Sequence, residues 1–543
     1  MSLTLLPILA RTGFFSVFSE LQVATAGGVY DDATFHLCLL WTQVWGVKRL
    51  SHLNDQPAEE WAVPLGAPRR PDYDTVQSYL MAVLAQDGSL DIDHPDQVRE
   101  GGLIDTVQVK TLQQWAATGL FRQRVWYLDG HTVEYAGDES IGRTRHGTKH
   151  TSVRGVVAYC LFNCIPALTV YRPAQSHLNQ VISELIAKAN DNLPPDHQIR
   201  IVAFDKEGYD ATLLRWFDDA GVIPITWLKA TAPNRRSLAA VSAEEFIDLP
   251  EPLTMGKAGK EYQVVRVAET TVTIPDHRAV RTVVLETAQG HRFGILTHAL
   301  RPGEGALDNE RVLTTIAVLE AMRLKQRVEN YYKLLGHELA GDTIPTHQVH
   351  TVTCTEAYDL NKGRALLRRA QRQVVKYEAD QARYRVALEA GELTPQEYRV
   401  LHQQATRLQT ENQTRVQQRA AEVEQAQVDP TTGQAWRTYQ VKRLDVRKMT
   451  LLNLYKMHTY VALKLLAEEM GLAGIGPERL RREVLVFGEG VEIDPKRQVI
   501  TVYARRIPRA RGQWAYEWLC YRLADRLATF DRDGVPYRLE FSW

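Results

Sequence analysis

At 543 residues the chain is too long for one hydrophobic core, and three or more domains are expected. Its 44% hydrophobic and 24% charged content excludes a disordered or fibrous chain. Lysine plus arginine equals aspartate plus glutamate at 65 each, so nucleic-acid binding through a global field is excluded and local basic patches must supply any such affinity. Nowhere do about 18 apolar residues run together, and the five cysteines lack paired metal-ligand spacing. A cytoplasmic protein with reduced thiols, neither export leader nor membrane span, and no membrane partner is expected.

Residues 1–120 read as a helical N-terminal domain, with DNA as its expected ligand and plain packing as the alternative. Thr34 to Val47 is dense enough in apolar residues for a helix buried on most sides. After the proline-rich turn Pro64 to Asp72, Tyr73 to Gln86 places Val76, Leu80, Val83 and Leu84 on one helical face. From Arg122 the period becomes that of strands: Val125 to Tyr135, Arg154 to Asn163 and Ala167 to Tyr171, with Cys160 and Cys164 as structural thiols. An amphipathic helix (Ser176 to Asn190), a strand (Ile199 to Phe204), a helix capped by Asp210 (Ala211 to Ala220) and a strand (Ile223 to Leu228) complete residues 121–229. Three strands, helix, strand, helix, strand is the order of a ribonuclease H-like α/β core. In such sheets functional groups collect at strand ends, where Asp129 and Asp205 fall.

Residues 230–305 read as a β-rich inserted subdomain: Phe246 to Leu253, Tyr262 to Glu269, Thr270 to Ile274, Ala279 to Thr287 and Arg292 to Thr297, separated by Gly-Lys, Pro-Asp-His and Gly-His turns. The final core helix, within 306–345, is expected to start near Asn309 and to end at Gly336, roughly 28 residues or about 40 Å. That length would cross the sheet and bring Glu329 to the two aspartates. Carboxylates about 4 Å apart repel by roughly 4 kcal/mol at an effective dielectric near 20, so such a cluster calls for cations. Mg²⁺ or Mn²⁺ held by Asp129, Asp205 and Glu329 would serve in-line phosphoryl displacement. Lys325 and Lys333 flank Glu329 on its face; they are candidate phosphate contacts, or members of a solvated face with weak ion pairs. His131 shares the strand face of Asp129, as a structural histidine or a site contact, and Trp227 is a core residue or a platform for a displaced base. Asp138, Glu139 and Glu320 compete for the carboxylate roles but lack the strand-end or motif context.

Lys325-Gln-Arg327-Val-Glu329-Asn330-Tyr331-Tyr332-Lys333 resembles the Arg-Trp-Arg-x-Glu-Asn-Phe-Phe-Lys signature of DDE-type insertion-sequence transposases that carry a β-rich insertion, with tyrosines replacing both phenylalanines. Tyr-Leu-Asp129-Gly-His131 resembles the first-aspartate strand of that family and Phe-Asp205-Lys206-Glu-Gly-Tyr its second-aspartate segment, where Arg-Gly is more usual. The likeness covers about 121–345. It implies a metal-dependent recombinase that hydrolyses the phosphodiester at transposon ends and uses the freed 3′-hydroxyl for strand transfer into target DNA, with Asp129, Asp205 and Glu329 as catalytic metal ligands. Double-stranded DNA and a homodimer in the DNA complex are the partners so implied.

A connector (346–361) leads to a heptad rhythm from Leu367 to Leu388, a break at Gly391 to Glu397, and a second stripe from Tyr398. Residues 362–428 are therefore expected to be a helical hairpin or a dimerising coiled coil. In the α+β region 429–543, Met449 to Met470 reads as an apolar-faced helix, Val484 to Phe487 and Gln498 to Ala504 as strands, and Trp514 to Thr529 as a helix. Arg505, Arg506, Arg509 and Arg511 form the densest basic run and, with Arg143, Arg145, Lys149, Lys206 and Arg327, are candidate DNA contacts. Two other functions stay open: a catalytically silent DNA-binding or regulatory protein on the same scaffold, and a ribonuclease H-like nuclease without strand transfer.

Overall fold

Side-chain caps set the first helices. Asp31 accepts from Thr34 N at 2.7 Å to start α3 (Asp32–Val44), and Asp72 accepts from Thr75 N at 2.7 Å to start α4 (Tyr73–Gln86). The short α1 (Leu6–Arg11) and α2 (Phe14–Phe18) precede them and α5 (Leu103–Ala117) follows. This is a computed structural model; it describes residues 5–542 except 24–27, 48, 57, 59–60, 62–64, 68, 89–93, 96, 146–150, 258–259, 305–310, 340–347, 431–433, 470–479, 481–489, 495, 504–529 and 533–534.

The sheet begins with β1 (Val125–Glu134), β2 (Arg143–Arg145), β3 (Ser152–Asn163) and β4 (Ile165–Pro173). β3 is antiparallel to both β1 and β4 and carries β2 at its start. Helix α6 (Leu178–Asn192) crosses to β5 (Ile201–Phe204), and α7 (Ala211–Asp219), capped by Asp210, crosses to β6 (Ile223–Trp227). β5 runs parallel to β1 and β6 parallel to β5. The resulting order β4-β3-β1-β5-β6, with β3 alone antiparallel to the other four, is compatible with a ribonuclease H-like core.

The insertion does not stand apart as a subdomain. After α8 (Ala232–Ala239), the strands β7 (Ile247–Lys257), β8 (Lys260–Thr273), β9 (Ala279–Thr287) and β10 (Arg292–Thr297) continue the same sheet, because β10 pairs antiparallel with β6. The two strands expected over Tyr262 to Ile274 are one, β8, since nothing between Glu269 and Thr270 breaks the extended chain. The helix expected from Asn309 to Gly336 is two, α9 (Thr315–Leu324) and α10 (Gln326–Glu338). Thr314 caps the first through Ala317 N at 3.1 Å, the break falls at Lys325, and Gly336 lies inside α10 rather than ending it.

Thr351–Lys442 is a compact unit of its own. Within it β11 (Val349–Tyr358) leads to α11 (Leu360–Glu389) and α12 (Pro395–Glu424), two helices of 30 residues each that pack on one another. Gly391, at φ 75°, takes the left-handed conformation that stops the first, and Thr394 and Glu397 form the expected capping box of the second. Gln381 donates to Gln409 Oε1 at 2.9 Å across the pair, so within one chain the helices form the hairpin alternative. β12 (Gln427–Val428) and β13 (Ala435–Leu444) complete a small sheet with β11.

In the other unit, α13 (Arg447–Glu469) is buried along most of its length. It lies against α1, α3, α5 and β4, in one apolar core with Trp126, Leu128 and Leu161 of the sheet. The N-terminal helices are thus part of the core and not a separate domain. A last sheet, ordered β14 (Gly490–Asp494), β15 (Val499–Tyr503), β17 (Val535–Ser542) and β16 (Phe530–Arg532), holds the strand expected near Gln498. Val484 to Phe487 and Trp514 to Thr529 lie outside the described residues. No helix among the described residues is long and apolar enough to cross a membrane.

Two neutral histidines fasten α13 to the N-terminal helices. His36 Nδ1 is 2.9 Å from Tyr455 Oη, and the His458 ring lies 4.8 to 5.5 Å from those of Trp115, Phe18 and Phe14. Burial pushes His36 down to about 4 and His458 down to about 3. Both folded values lie below the unfolded one near 6.5, so their contribution is fully present above about pH 6.5 and is lost as pH falls toward the folded values. The urea midpoint is expected to drop steadily from about pH 6.5 to 4, and less steeply in His458→Phe. A flat wild-type midpoint over that range would refute the burial of neutral imidazoles.

Candidate metal centre

Strand alternation places the two aspartates on one face. Along β1, Trp126 and Leu128 join the core beneath α13, whereas Tyr127 joins the opposite core under α9 and α10; Asp129 shares the parity of Tyr127. Along β5, Ile201 and Ala203 face that second core and Asp205, still extended at φ −77° and ψ 163°, continues their series. Leu128 and Phe204 are register partners in the parallel pair, so Asp129 and Asp205 leave neighbouring strands at the same level. Asp205 Oδ1 accepts from Lys206 N at 2.7 Å and starts a tight turn, and Asp129 Oδ1 accepts from Gly130 N at 3.0 Å. At Gly208, which closes that turn, a Cβ would come within 2.5 Å of the Phe204 ring.

Helix α10 brings Glu329 to this face. Tyr332 Oη donates to the backbone oxygens of Asp129 at 2.9 Å and Ala158 at 3.2 Å, while its ring stacks on His131 at 4.8 Å. Tyr331 packs against Phe162 and Tyr460. The adjacent tyrosines are therefore anchors of α10 on β1 and β3, and Glu329 lies one turn back from Tyr332 on the same helix. His131 is a packing residue of this anchor.

At the break between α9 and α10, the Lys325 side chain is 8% exposed and its Nζ lies 3.2 Å from Asp129 Oδ2. Burial acts to lower the pKa of this ammonium, but the attraction of Asp129, then Asp205, then Glu329 outweighs it and the net direction is up. One buried cation thus feels all three carboxylates. The expected surface role of Lys325 as a phosphate contact does not fit this placement, because the ammonium is turned inward.

The remaining predicted positions fall in different places. Lys333 is exposed on α10, Lys206 is exposed in the turn after Asp205, and Arg143 is exposed on β2 with its guanidinium on Ser152 O at 2.7 Å. Arg327 on α10 and Arg145 at the end of β2 are placed in backbone only, and Lys149, Arg505, Arg506, Arg509 and Arg511 lie outside the described residues. Trp227 packs against Phe293, so it belongs to the core. Cys160 is a fully buried thiol pushed up to about 12 by that burial, as suits a structural cysteine.

Among the described residues, one group of histidines and carboxylates has its ligand atoms all within 4.8 Å of one another: Asp218, His277 and His298. Asp129, Asp205 and Glu329 are not drawn that close, and Lys325 stands among them. Sequence reading took Pro-Asp-His277 for a turn only; the three residues come from a helix, a turn and a strand end with no shared motif to betray them. No family model matches the chain, and no curated protein matches it. Among solved structures, a piggyBac transposase synaptic complex with hairpin DNA is similar at a TM-score of 0.35 and 8% identity, over 84% of this chain and 81% of that one. A likeness so distant fixes neither reaction nor substrate.

Removing the ammonium should separate its two effects. In EDTA, Lys325→Met is expected to lose about 3 kcal/mol of stability, since the carboxylates lose their internal counter-charge. Added Mg²⁺ should then raise its urea midpoint more than that of the wild type. Equal stability of both proteins in EDTA would show that Lys325 does not neutralise this cluster.

Proposed function

We propose that the chain is a DNA transposase of the DDE type, in which Asp129, Asp205 and Glu329 hold divalent cations for hydrolysis at transposon ends and for strand transfer. The observation that supports this reading is the buried ammonium of Lys325, 3.2 Å from Asp129 Oδ2 and attracted also by Asp205 and Glu329. The donor set fits the cation: all three ligands are carboxylate oxygens, the hard donors that Mg²⁺ and Mn²⁺ take. Such ions, when bound, activate the attacking oxygen and stabilise the leaving one.

The residues of the chain supply the positioning. Asp129 and Asp205 are fixed by the parallel pairing of β1 and β5, and Glu329 by the grip of Tyr332 on the β1 backbone. Lys325 neutralises the cluster until cations take its place, which lets the site stay folded without them. Exposed Lys206 and Lys333 flank the carboxylates in sequence and would hold the phosphates of double-stranded DNA on either side of the scissile bond. A homodimer would bring two such sites to a pair of DNA ends.

One observation favours a second reading, a silent DNA-binding or regulatory protein: Lys325 already pairs with Asp129 and competes with any metal there. Nicking and strand transfer on DNA carrying the terminal repeats, with Mg²⁺ or Mn²⁺, decides between them. Asp129→Ala, Asp205→Ala and Glu329→Ala should each slow both steps about a thousandfold, or about 4 kcal/mol of barrier. Full activity in the three variants would remove the site assignment, binding without cleavage would select the silent reading, and nicking without joined product would select a nuclease.

A further inference from the structure

At the opposite end of the central strands from Asp205 lies a cluster with different chemistry. β10 runs antiparallel to β6 with Thr297 beside Ile225, so His298, the next residue, sits near the start of β6. There it meets Asp218, near the end of α7, and His277, in the turn between β8 and β9. His298 Nδ1 is 2.9 Å from Asp218 Oδ1, His277 Nε2 is 3.7 Å from Asp218 Oδ2, and the imidazoles stack at 5.3 Å.

These side chains are buried and incompletely satisfied. The His298 side chain is 1% exposed and that of His277 3%. Both ring nitrogens of His298 and Nε2 of His277 are buried without a hydrogen-bond partner of proper alignment. Buried polar nitrogens without an aligned partner are costly and uncommon, and each such group in a folded protein calls for an explanation such as a bound ion.

We propose that Asp218, His277 and His298 form a second cation site, which takes Zn²⁺ or a similar borderline transition ion and clips the strands after β6 to helix α7. Two imidazole nitrogens and one carboxylate oxygen are the donors zinc prefers, and three protein ligands leave a fourth position to water. Tetrahedral bonds of ~2.0–2.1 Å put ligand atoms ~3.3 Å apart, and one donor atom from each of the three residues lies within 4.8 Å of the others, so small side-chain shifts would close the set on an ion. Arg278 donates to Asp218 Oδ1 at 2.6 Å and Oδ2 at 3.1 Å, the outer-shell support that orients a ligating carboxylate. A carboxylate offers about four lone-pair sites, so these bonds leave room for a metal. A cavity of about 180 Å³, lined in part by His298, Arg278 and Arg301, opens beside the cluster as an entry path. The site stands at the other end of β6 from the Asp205 side, where it would hold α7 to the sheet, and it does not rest on the transposase reading.

The test uses the full chain, stripped with EDTA and dialysed. Zn²⁺ titration should show one tight equivalent that persists in Asp129→Ala and raises the melting temperature, and Co²⁺ should give the visible bands of a four-coordinate N/O site. His277→Gln, a change in a turn, should weaken that equivalent by at least about a hundredfold; His298→Gln should do the same if it folds. Absence of a tight equivalent or of the Co²⁺ bands in the wild type overturns the proposal. An unchanged affinity in His277→Gln overturns it as well, and leaves the cluster as an ion network of Arg278, Asp218 and two neutral histidines.

Discussion

A lysine ammonium cannot be taken from water without negative charge around it, and three carboxylates cannot share a small volume without a cation. Lys325 answers both requirements, and the architecture near it follows. It sits where α9 ends and α10 begins, so the long helix expected from the sequence is broken at the residue that must turn inward. Tyr332 then fastens α10 to the backbone of β1, and Val328, Tyr331 and Leu335 fill the core beneath it. The exposed Lys333 remains on the outer face.

Much of the core was legible because its signals are local. The alternation of β1, the cap at Asp210, and the capping box at Thr394 each depend on a few neighbouring residues, and each element lies within a few residues of its expected bounds. Asp205 was legible as a strand end for the same reason, whereas Asp129 falls in the middle of β1, where the pairing with β5 stops but that with β3 continues. The orientation of Lys325 was not, since spacing puts it on the face of Glu329 whether that face meets solvent or the strand ends. The Asp218, His277 and His298 cluster was beyond reach because β6–β10 pairing, a non-local contact, is what assembles it. That same pairing fuses the insertion to the core, whereas a list of strands suggests a detachable unit.

The two candidate cation places differ in the way their donors differ. At one end of the central strands the proposed donors are carboxylate oxygens of Asp129, Asp205 and Glu329, the kind that suits a hard, exchangeable ion. At the other, imidazoles from the β8–β9 turn and the end of β10 suit an ion that stays. A chelator should therefore act on both, with exchange fast at the first and slow at the second.

The burial of α13 has a consequence for synthesis. The helices before residue 120 share their core with residues that are translated after 446, on the far side of the insertion and the hairpin. While the ribosome makes the intervening chain, Phe14, Phe18, Trp41 and Trp115 lack the surface they finally pack on. The first segment to emerge thus has to wait for one of the last to complete its core, and its apolar side chains stay unpaired with that surface in the interval. A message cut short after the hairpin would yield a chain whose sheet can pair but whose opening helices remain sticky.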